Sequence, residues 1–121
     1  MKTTTILLLA ISLMFIACGD DDEEPMTNEC ETVDLTYTST TASIFNKSCA
    51  LSGCHTDASL AGGFSLDDYD AVFIAVGFGR IEGAINHQDG FLPMPYPAGS
   101  SMLEQCSIDQ ISAWIADGAP E

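Results

Sequence analysis

Apolar residues recur at helical spacing in the second half of the chain. Between Leu66 and Val76 they follow one another at steps of three and four residues, which is the period of an amphipathic helix. The same spacing returns between Ile108 and Ile115, where it includes Trp114. The pattern therefore predicts two amphipathic helices, each with one apolar face directed toward a core.

Capping residues predict where these two helices begin and end. Ser65 followed by Asp68, and Ser107 followed by Gln110, each have the spacing of a capping box, in which a hydroxyl and a longer polar side chain satisfy the first free N–H groups. Gly118 follows the second helix at the position where glycine commonly ends one. We therefore expect Ser65 and Ser107 to be the N-caps.

Shorter apolar clusters predict two further helices. Residues 41–50 carry Ile44 and Phe45 on one face and polar residues on the other. Residues 80–86 place Ile81, Ala84 and Ile85 on one side. Residues 36–41 are rich in threonine, which is β-branched, and are expected to form extended chain before the first helix.

The N-terminus has the pattern of an export signal. Lys2 precedes an apolar run at residues 6–17, which is too short to span a bilayer comfortably. The run ends in Phe15-Ile16-Ala17-Cys18, which resembles the lipobox of bacterial lipoproteins, where the chain is cleaved and the new terminal cysteine is lipidated. We expect a signal peptide at 1–17 and a lipid anchor on Cys18. An ordinary signal peptide cut elsewhere is the alternative, and in both cases the protein is exported to the periplasm or cell surface.

An acidic segment follows this predicted anchor. Four or more like charges in a row, as in residues 20–24, repel one another and keep the chain extended. Residues 18–40 are therefore interpreted as a solvated tether, and 41–121 as a single folded domain.

Cys49, Cys54 and His55 form the strongest chemical motif. Two cysteines with a histidine directly after the second are what covalent attachment of a c-type haem requires, because the thiols add to the porphyrin vinyl groups and the histidine coordinates iron. The usual spacing between the cysteines is two residues, whereas here it is four. The alternative is a zinc- or disulfide-stabilised exported binding module that uses Cys49, Cys54 and His55. In its zinc form a fourth ligand would come from Cys30, Cys106 or His87.

A proline-rich loop downstream supplies a second candidate ligand. Met94 lies between Pro93 and Pro95, and prolines restrict the backbone and cannot continue a helix. A stiff loop suits a thioether ligand, whose bond to iron is weak. Met102 and His87 are the other candidates; Met102 is interpreted as core filler and His87 as a surface histidine.

From about Ile44 to Gly118, the chain resembles a small class I c-type cytochrome of the C-x4-C-H variety, as found in bacterial lipoproteins. The resemblance is carried by the cysteine–histidine motif, by Leu92-Pro93-Met94-Pro95 and by residues 107–115. It implies an all-α domain packed around one covalently bound haem c, with the N- and C-terminal helices crossing. It also implies that His55 and Met94 coordinate iron, and that the protein is an electron carrier rather than an enzyme. A variant in which Met94 leaves the iron would instead bind gas or peroxide.

The cysteine count is consistent with these assignments. The chain has five cysteines, and lipid on Cys18 together with haem on Cys49 and Cys54 leaves Cys30 and Cys106. In an oxidising compartment these two can form a disulfide. The alternative, in which they stay apart, remains open at this point.

The charge of the chain limits its partners. Eighteen acidic residues oppose three basic ones, giving a net charge of −15. Such a field opposes binding to nucleic acid and favours a redox protein partner with a basic docking face. Arg80, one of the three basic residues, is a candidate partner for a haem propionate, with a solvated arginine as the alternative.

Overall fold

The structure, a computed structural model, describes residues 29–97 and 99–121. Within these residues the fold is all-α. The predicted signal peptide, Cys18 and the acidic run of the tether lie outside the described residues. None of the helices in the described part is long and apolar enough to cross a membrane. The elements, in chain order, are a π-helical turn (Tyr37–Thr41), α1 (Ala42–Ser48), a 3₁₀ turn (Ala61–Gly63), α2 (Tyr69–Gly77), α3 (Ile81–Ile85) and α4 (Gln105–Ala116).

The extended segment predicted at 36–41 is helical instead. Thr36 caps a π-helical turn: its Oγ1 accepts a hydrogen bond from the N–H of Ser39 at 3.1 Å, and the Ser39 hydroxyl accepts one from the N–H of Thr36 at 3.2 Å. The turn continues directly into α1. The cap and the burial of Tyr37 therefore override the low helix propensity of the threonines.

The first and last helices of the described residues meet in the core. Trp114 of α4 is fully buried, and its ring contacts Phe45 of α1 in an edge-on arrangement with the centroids 6.2 Å apart. The ring of Tyr37 also lies beside that of Trp114, with the centroids 6.3 Å apart. The backbone N–H of Tyr37 donates to the carbonyl of Pro120 at 2.9 Å. Because Leu35 and Tyr37 are both buried, the core extends N-terminal of the boundary predicted at residue 41. The predicted contact between the first and last helices is present.

Helix α2 begins later than its sequence predicts. Asp68, not Ser65, is the N-cap, and its carboxylate accepts a hydrogen bond from the N–H of Ala71 at 2.9 Å. Ser65 Oγ accepts from the N–H of Asp67 instead, and the N–H of Leu66 donates to the carbonyl of His55 at 2.7 Å. Leu66 is therefore bound to the loop that carries His55, and the Ser65 hydroxyl is bound to Asp67, so neither residue enters the helix. The apolar face of α2 is narrower than predicted, since Phe73 is 48% exposed.

Helix α4, in contrast to α2, begins earlier than predicted. It starts at Gln105, after Glu104, so Ser107 is not its N-cap. The side chain of Gln110, the other half of the expected capping box, donates to the carbonyl of Glu31 at 3.1 Å. At the other end Gly118 has φ of 90°, and the N–H groups of residues 118 and 119 return to the carbonyls of Ile115 and Trp114. This is a Schellman motif, which agrees with the predicted role of Gly118.

Cys30 and Cys106 form a disulfide, with their Cα atoms 5.3 Å apart. The pairing proposed from the cysteine count is the one that the structure contains. It joins the segment that precedes the π-helical turn to the N-terminal end of α4. Cys49 and Cys54 are free thiols.

Removing this disulfide should destabilise the fold without affecting the rest of the cysteine chemistry. The bonded residues are 76 positions apart, and a loop of this size corresponds to about 4 kcal/mol in the loop-entropy model. Any cross-link elsewhere in the chain reduces that value. We expect Cys30→Ser/Cys106→Ser to lose about 2–4 kcal/mol of unfolding free energy in urea titrations. An unfolding curve that coincides with that of the wild type would contradict the expectation.

Candidate functional site

One large cavity collects the predicted site residues. It has a volume of about 1080 Å³ and is lined by Cys49, Cys54, His55 and Met94. Ligand pockets of roughly 300–1,000 Å³ are typical, so this one is slightly larger than that range. The four residues come from two parts of the chain about forty positions apart, so the fold, and not sequence proximity alone, places them around the same space.

The loop between the cysteines is closed by backbone hydrogen bonds. Cys49 ends α1, and its N–H donates to the carbonyl of Phe45 at 2.8 Å. The N–H of His55 then donates back to the carbonyl of Cys49 at 3.1 Å, and that of Cys54 donates to the carbonyl of Leu51 at 2.8 Å. Gly53 has φ of 81°, a conformation that side chains disfavour. The two extra residues are thus absorbed in a tight turn, and both cysteines still line the cavity.

His55 is held by packing. Only 6% of the residue is exposed, and its ring stacks on Phe64 with the centroids 4.3 Å apart and the planes at 19°. Its Nδ1 is buried and has no hydrogen-bond partner among the described residues. A buried polar atom of this kind is costly unless something else compensates for it. A histidine without a protein partner at Nδ1, placed at the wall of a large cavity, fits the role of a ligand to a bound group.

The environment of Cys49 keeps it in the thiol form. Burial raises the pKa of the Cys49 thiol to about 11, and the neighbouring Cys54 adds to the rise. The thiolate is the reactive nucleophile in disulfide exchange. At neutral pH Cys49 is therefore not activated for that chemistry, which agrees with its being free in the structure.

Met94 reaches the cavity from the loop between α3 and α4. Its N–H donates to the carbonyl of Ala84, in α3, at 3.0 Å. Neither of the other candidate ligands lines the cavity. Met102 is 43% exposed, so its interpretation as core filler is wrong, and Leu103 packs against the core instead. His87 is half-buried and donates a hydrogen bond from Nε2 to the carbonyl of Met94 at 2.9 Å, so it is not a simple surface histidine.

The remaining lining is mostly apolar. Helix α3 contributes Ile81, Ala84 and Ile85, the face that its sequence pattern predicts. Arg80, which precedes α3, is exposed and also lines the cavity, so its guanidinium is available to a carboxylate group of a bound ligand. Further contributions come from Phe45, Leu66, Ala75, Phe91 and Leu103.

Two aromatic residues of the site were not found by sequence reasoning. Phe64 stacks on His55, and Phe91 covers the side of α3. Each lies next to a glycine turn or a proline loop, outside any helical period, so no pattern marks it as part of a core. The only signal was the bulk of an aromatic residue in a short loop.

The donor arrangement can be compared with what a zinc ion and a haem each require. A zinc site needs four donors about 2.0–2.3 Å from one point. Within the described residues, no three His, Cys, Asp or Glu side chains are grouped closely enough to hold a metal ion. Cys30 and Cys106 are bonded to each other, which removes both as thiolate ligands. Haem attachment needs no such convergence, because the cysteines bind the porphyrin edge and the histidine binds the metal at its centre. The residues present therefore fit a haem better than a zinc ion.

No protein-family model matches the chain, and no curated protein or solved structure matches it either.

A glycine in α3 sets the position of Phe91 in the cavity wall. A Cβ atom built on Gly83, which is buried, would lie 2.6 Å from three ring atoms of Phe91. Alanine has a higher helix propensity than glycine, by about 1 kcal/mol. The clash opposes this gain, since overpacking typically costs about 1–3 kcal/mol. We expect Gly83→Ala to lower the unfolding free energy by about 1 kcal/mol and to displace Phe91.

The matched control for this substitution is Gly77→Ala, at the end of α2. A Cβ atom there would meet nothing within 4 Å, so the variant should be neutral or more stable. Urea unfolding of both variants measures the difference. Equal stabilities of the two variants would show that Phe91 does not press on Gly83.

Proposed function

We propose that this protein is a monohaem c-type cytochrome that carries electrons. The observation that carries the proposal is the shared cavity: two free cysteines, a buried histidine and a loop methionine all line it. Cysteines of this kind hold a haem covalently, and a histidine and a methionine can be the two protein ligands of its iron. The all-α fold of the described residues is compatible with the class I-like architecture proposed for the domain.

Each residue has a distinct part in this proposal. The thiols of Cys49 and Cys54 would hold the haem through carbon–sulfur bonds formed by addition of each S–H across a vinyl group, with no net oxidation or reduction. His55 and Met94 would coordinate its iron. When bound, the haem supplies an iron that alternates between Fe(II) and Fe(III). With two protein side chains as iron ligands, the site would favour electron transfer over bond-making chemistry.

The rest of the cavity shields this group and orients it. The apolar side chains of Phe45, Leu66 and Leu103 exclude water from the interior. Arg80 offers a guanidinium for a propionate, which it can bind through two parallel hydrogen bonds. Exposed apolar residues at the cavity, among them Leu51, Phe78 and Leu92, leave one part of its wall open to solvent or to a partner.

Electrons would be exchanged with a protein that presents a basic face. The net charge of −15 attracts such a partner over several ångströms and repels acidic ones. Because salt screens this attraction, the rate of electron exchange with a basic partner should fall as ionic strength rises.

The test of the haem assignment is a stain for covalently bound haem. The full chain is expressed in cells that mature c-type cytochromes and separated by denaturing electrophoresis. We expect a haem-stained band at the mass of the protein, and a visible spectrum with the sharp bands of a reduced c-type haem. Cells without the maturation system serve as the control and should give an unstained protein. A wild-type protein that contains no haem, or loses it to acid–acetone extraction, would contradict the proposal.

We also propose that the cytochrome is an exported lipoprotein anchored through Cys18, at the periplasm or the cell surface. The support is the sequence alone, in which Ala17-Cys18 ends an apolar run and an acidic tether follows. Two or more acyl chains anchor a protein stably, whereas one does so only marginally. Cys18→Ala should therefore move most of the protein from the membrane fraction to the soluble fraction. A wild-type protein found wholly soluble, with an N-terminus beyond Cys18, would be the opposite result.

A further inference from the structure

The backbone of His87 adopts a strained, left-handed conformation in which glycine is more usual. It follows α3 and the C-cap Asn86, and its φ is 51°, in the left-handed region. Helices commonly place glycine at this position, because a side chain there is unfavourable. A residue other than glycine that is kept in a strained conformation often has a functional role. The question is what the imidazole of His87 provides that glycine would not.

The imidazole holds the backbone of Met94. Its Nε2 lies 2.9 Å from the Met94 carbonyl oxygen, which can only accept, so Nε2 is the donor. On the other side of the same residue, the N–H of Met94 donates to the carbonyl of Ala84 at 3.0 Å. The backbone N–H of Met94 is therefore bound to α3, and its carbonyl is bound to His87, the residue just beyond the C-cap of α3.

The neighbours of Met94 make these two bonds more important. Pro93 and Pro95 have no N–H, so Met94 carries the only backbone donor of this tripeptide. The residues of this loop that the structure describes form neither helix nor strand. The prolines restrict the local conformation of the loop, but they cannot fix its distance from α3. The hydrogen bonds to Ala84 and from His87 do this.

We propose that His87 is a positioning residue for the distal ligand, fixing the Met94 segment against α3 so that its thioether stays at the haem cavity. This inference rests on the proposed function. His87 does not line the cavity and would not touch the iron. His87 acts through its hydrogen bond to the main chain of Met94. Its strained backbone conformation places the imidazole donor next to the Met94 carbonyl.

The strain allows the hydrogen bond to be removed without weakening the fold. His87→Gly deletes the donor and also relieves the left-handed strain, so its thermal unfolding midpoint should equal or exceed that of the wild type. Its methionine–iron bond should nevertheless open more readily. In the ferric holoprotein we expect a weaker sulfur-to-iron charge-transfer band at the red end of the visible spectrum. We also expect imidazole added from solution to bind about tenfold more tightly, the change that follows from losing one hydrogen bond.

Two variants separate the hydrogen bond from the backbone. His87→Gln keeps both a side chain and an amide donor of similar reach, and should restore the band and the weak imidazole binding of the wild type. Asp34→Gly relieves left-handed strain at a residue that is exposed and does not line the cavity, with φ of 53°, and should leave both readouts unchanged.

Each outcome decides a different point. If His87→Gly retains the wild-type band and imidazole affinity, or if His87→Gln behaves like His87→Gly, the positioning role is wrong although the cytochrome assignment stands. If the wild type carries haem but lacks the band, then Met94 is not its ligand and the role of His87 falls with it. If the wild type carries no haem, both the proposed function and this inference are wrong.

Discussion

Replacing both Cys49 and Cys54 by serine is expected to abolish all haem that survives denaturation. Both thiols line the cavity and both are free, so each is available to form one thioether bond. Serine has almost the same shape but cannot form a carbon–sulfur bond. The change should therefore remove the covalent link while His55 remains in place. Haem staining after denaturing electrophoresis measures the loss, which should be complete.

The matched control is the other pair of cysteines. Cys30→Ser/Cys106→Ser removes the same number of sulfur atoms, but from a disulfide that does not line the cavity. This variant should be less stable and should still carry covalent haem. Loss of staining in the control alone would reverse the assignment of the two pairs. Unchanged staining in Cys49→Ser/Cys54→Ser would show that these residues do not hold the haem.

The single variants test the unusual spacing of the motif. If each cysteine forms one thioether, Cys49→Ser and Cys54→Ser should both keep haem through the remaining bond. Each should show the shifted pyridine haemochrome band of a porphyrin with one unreacted vinyl group. The hydrogen bond from the N–H of His55 to the carbonyl of Cys49 already closes the longer loop, so we expect attachment at both positions in the wild type. A wild-type protein with the shifted band and a Cys49 that can be alkylated would show attachment through Cys54 alone.

The sequence was most informative where chemistry depends on neighbouring residues. Cys54 and His55 are adjacent, so their placement at one site could be predicted without knowing the fold. Met94 could be chosen as a candidate ligand because flanking prolines restrict the backbone locally. That Met94 and His55 line one cavity was an implication of a family resemblance, and only the three-dimensional arrangement of α3 and the two loops places them there.

The sequence was least informative where several local signals compete. Ser65 and Ser107 both have the spacing of an N-cap, but tertiary contacts decide against them: Leu66 bonds to the His55 loop, and Gln110 turns toward Glu31. The burial of Tyr37 depends on Trp114, about eighty residues away, which no local window can detect. The exposure of Met102 is a similar case, because hydrophobicity alone does not say which of two adjacent apolar residues faces the core.

Replacing Met94 is expected to change the electronic properties of the site without removing the haem. A thioether is a soft, neutral ligand that favours Fe(II) and so raises the reduction potential relative to imidazole. Met94→His should keep the covalent haem, since Cys49, Cys54 and His55 are unchanged. Its potential should be lower by a fraction of the about 0.8 V that axial ligands span. Spectroelectrochemical titration of wild type and variant measures this shift.

Met94→Ala removes the ligand and supplies no replacement. The iron should then accept carbon monoxide in the reduced form and water in the oxidised form, which would convert a carrier into a binding site. Carbon monoxide difference spectra measure this change, and the wild type should bind the gas weakly. Strong binding to the wild type would favour the gas- or peroxide-binding variant of the function over electron transfer.

Met102→Ala is the control that identifies the methionine. Its side chain is 43% exposed and does not line the cavity, so the substitution should leave the potential, the sulfur-to-iron charge-transfer band and carbon monoxide binding as they are in the wild type. Because so much of the residue is already in solvent, the stability cost should also fall below the about 2–5 kcal/mol of a buried methionine. If the band persists in Met94→Ala and disappears in Met102→Ala, Met102 is the ligand and the loop around it must move to reach the cavity. If the band is absent from all three proteins, neither methionine coordinates iron, and His87, the remaining candidate ligand from the sequence, is the residue to replace next, although it does not line the cavity.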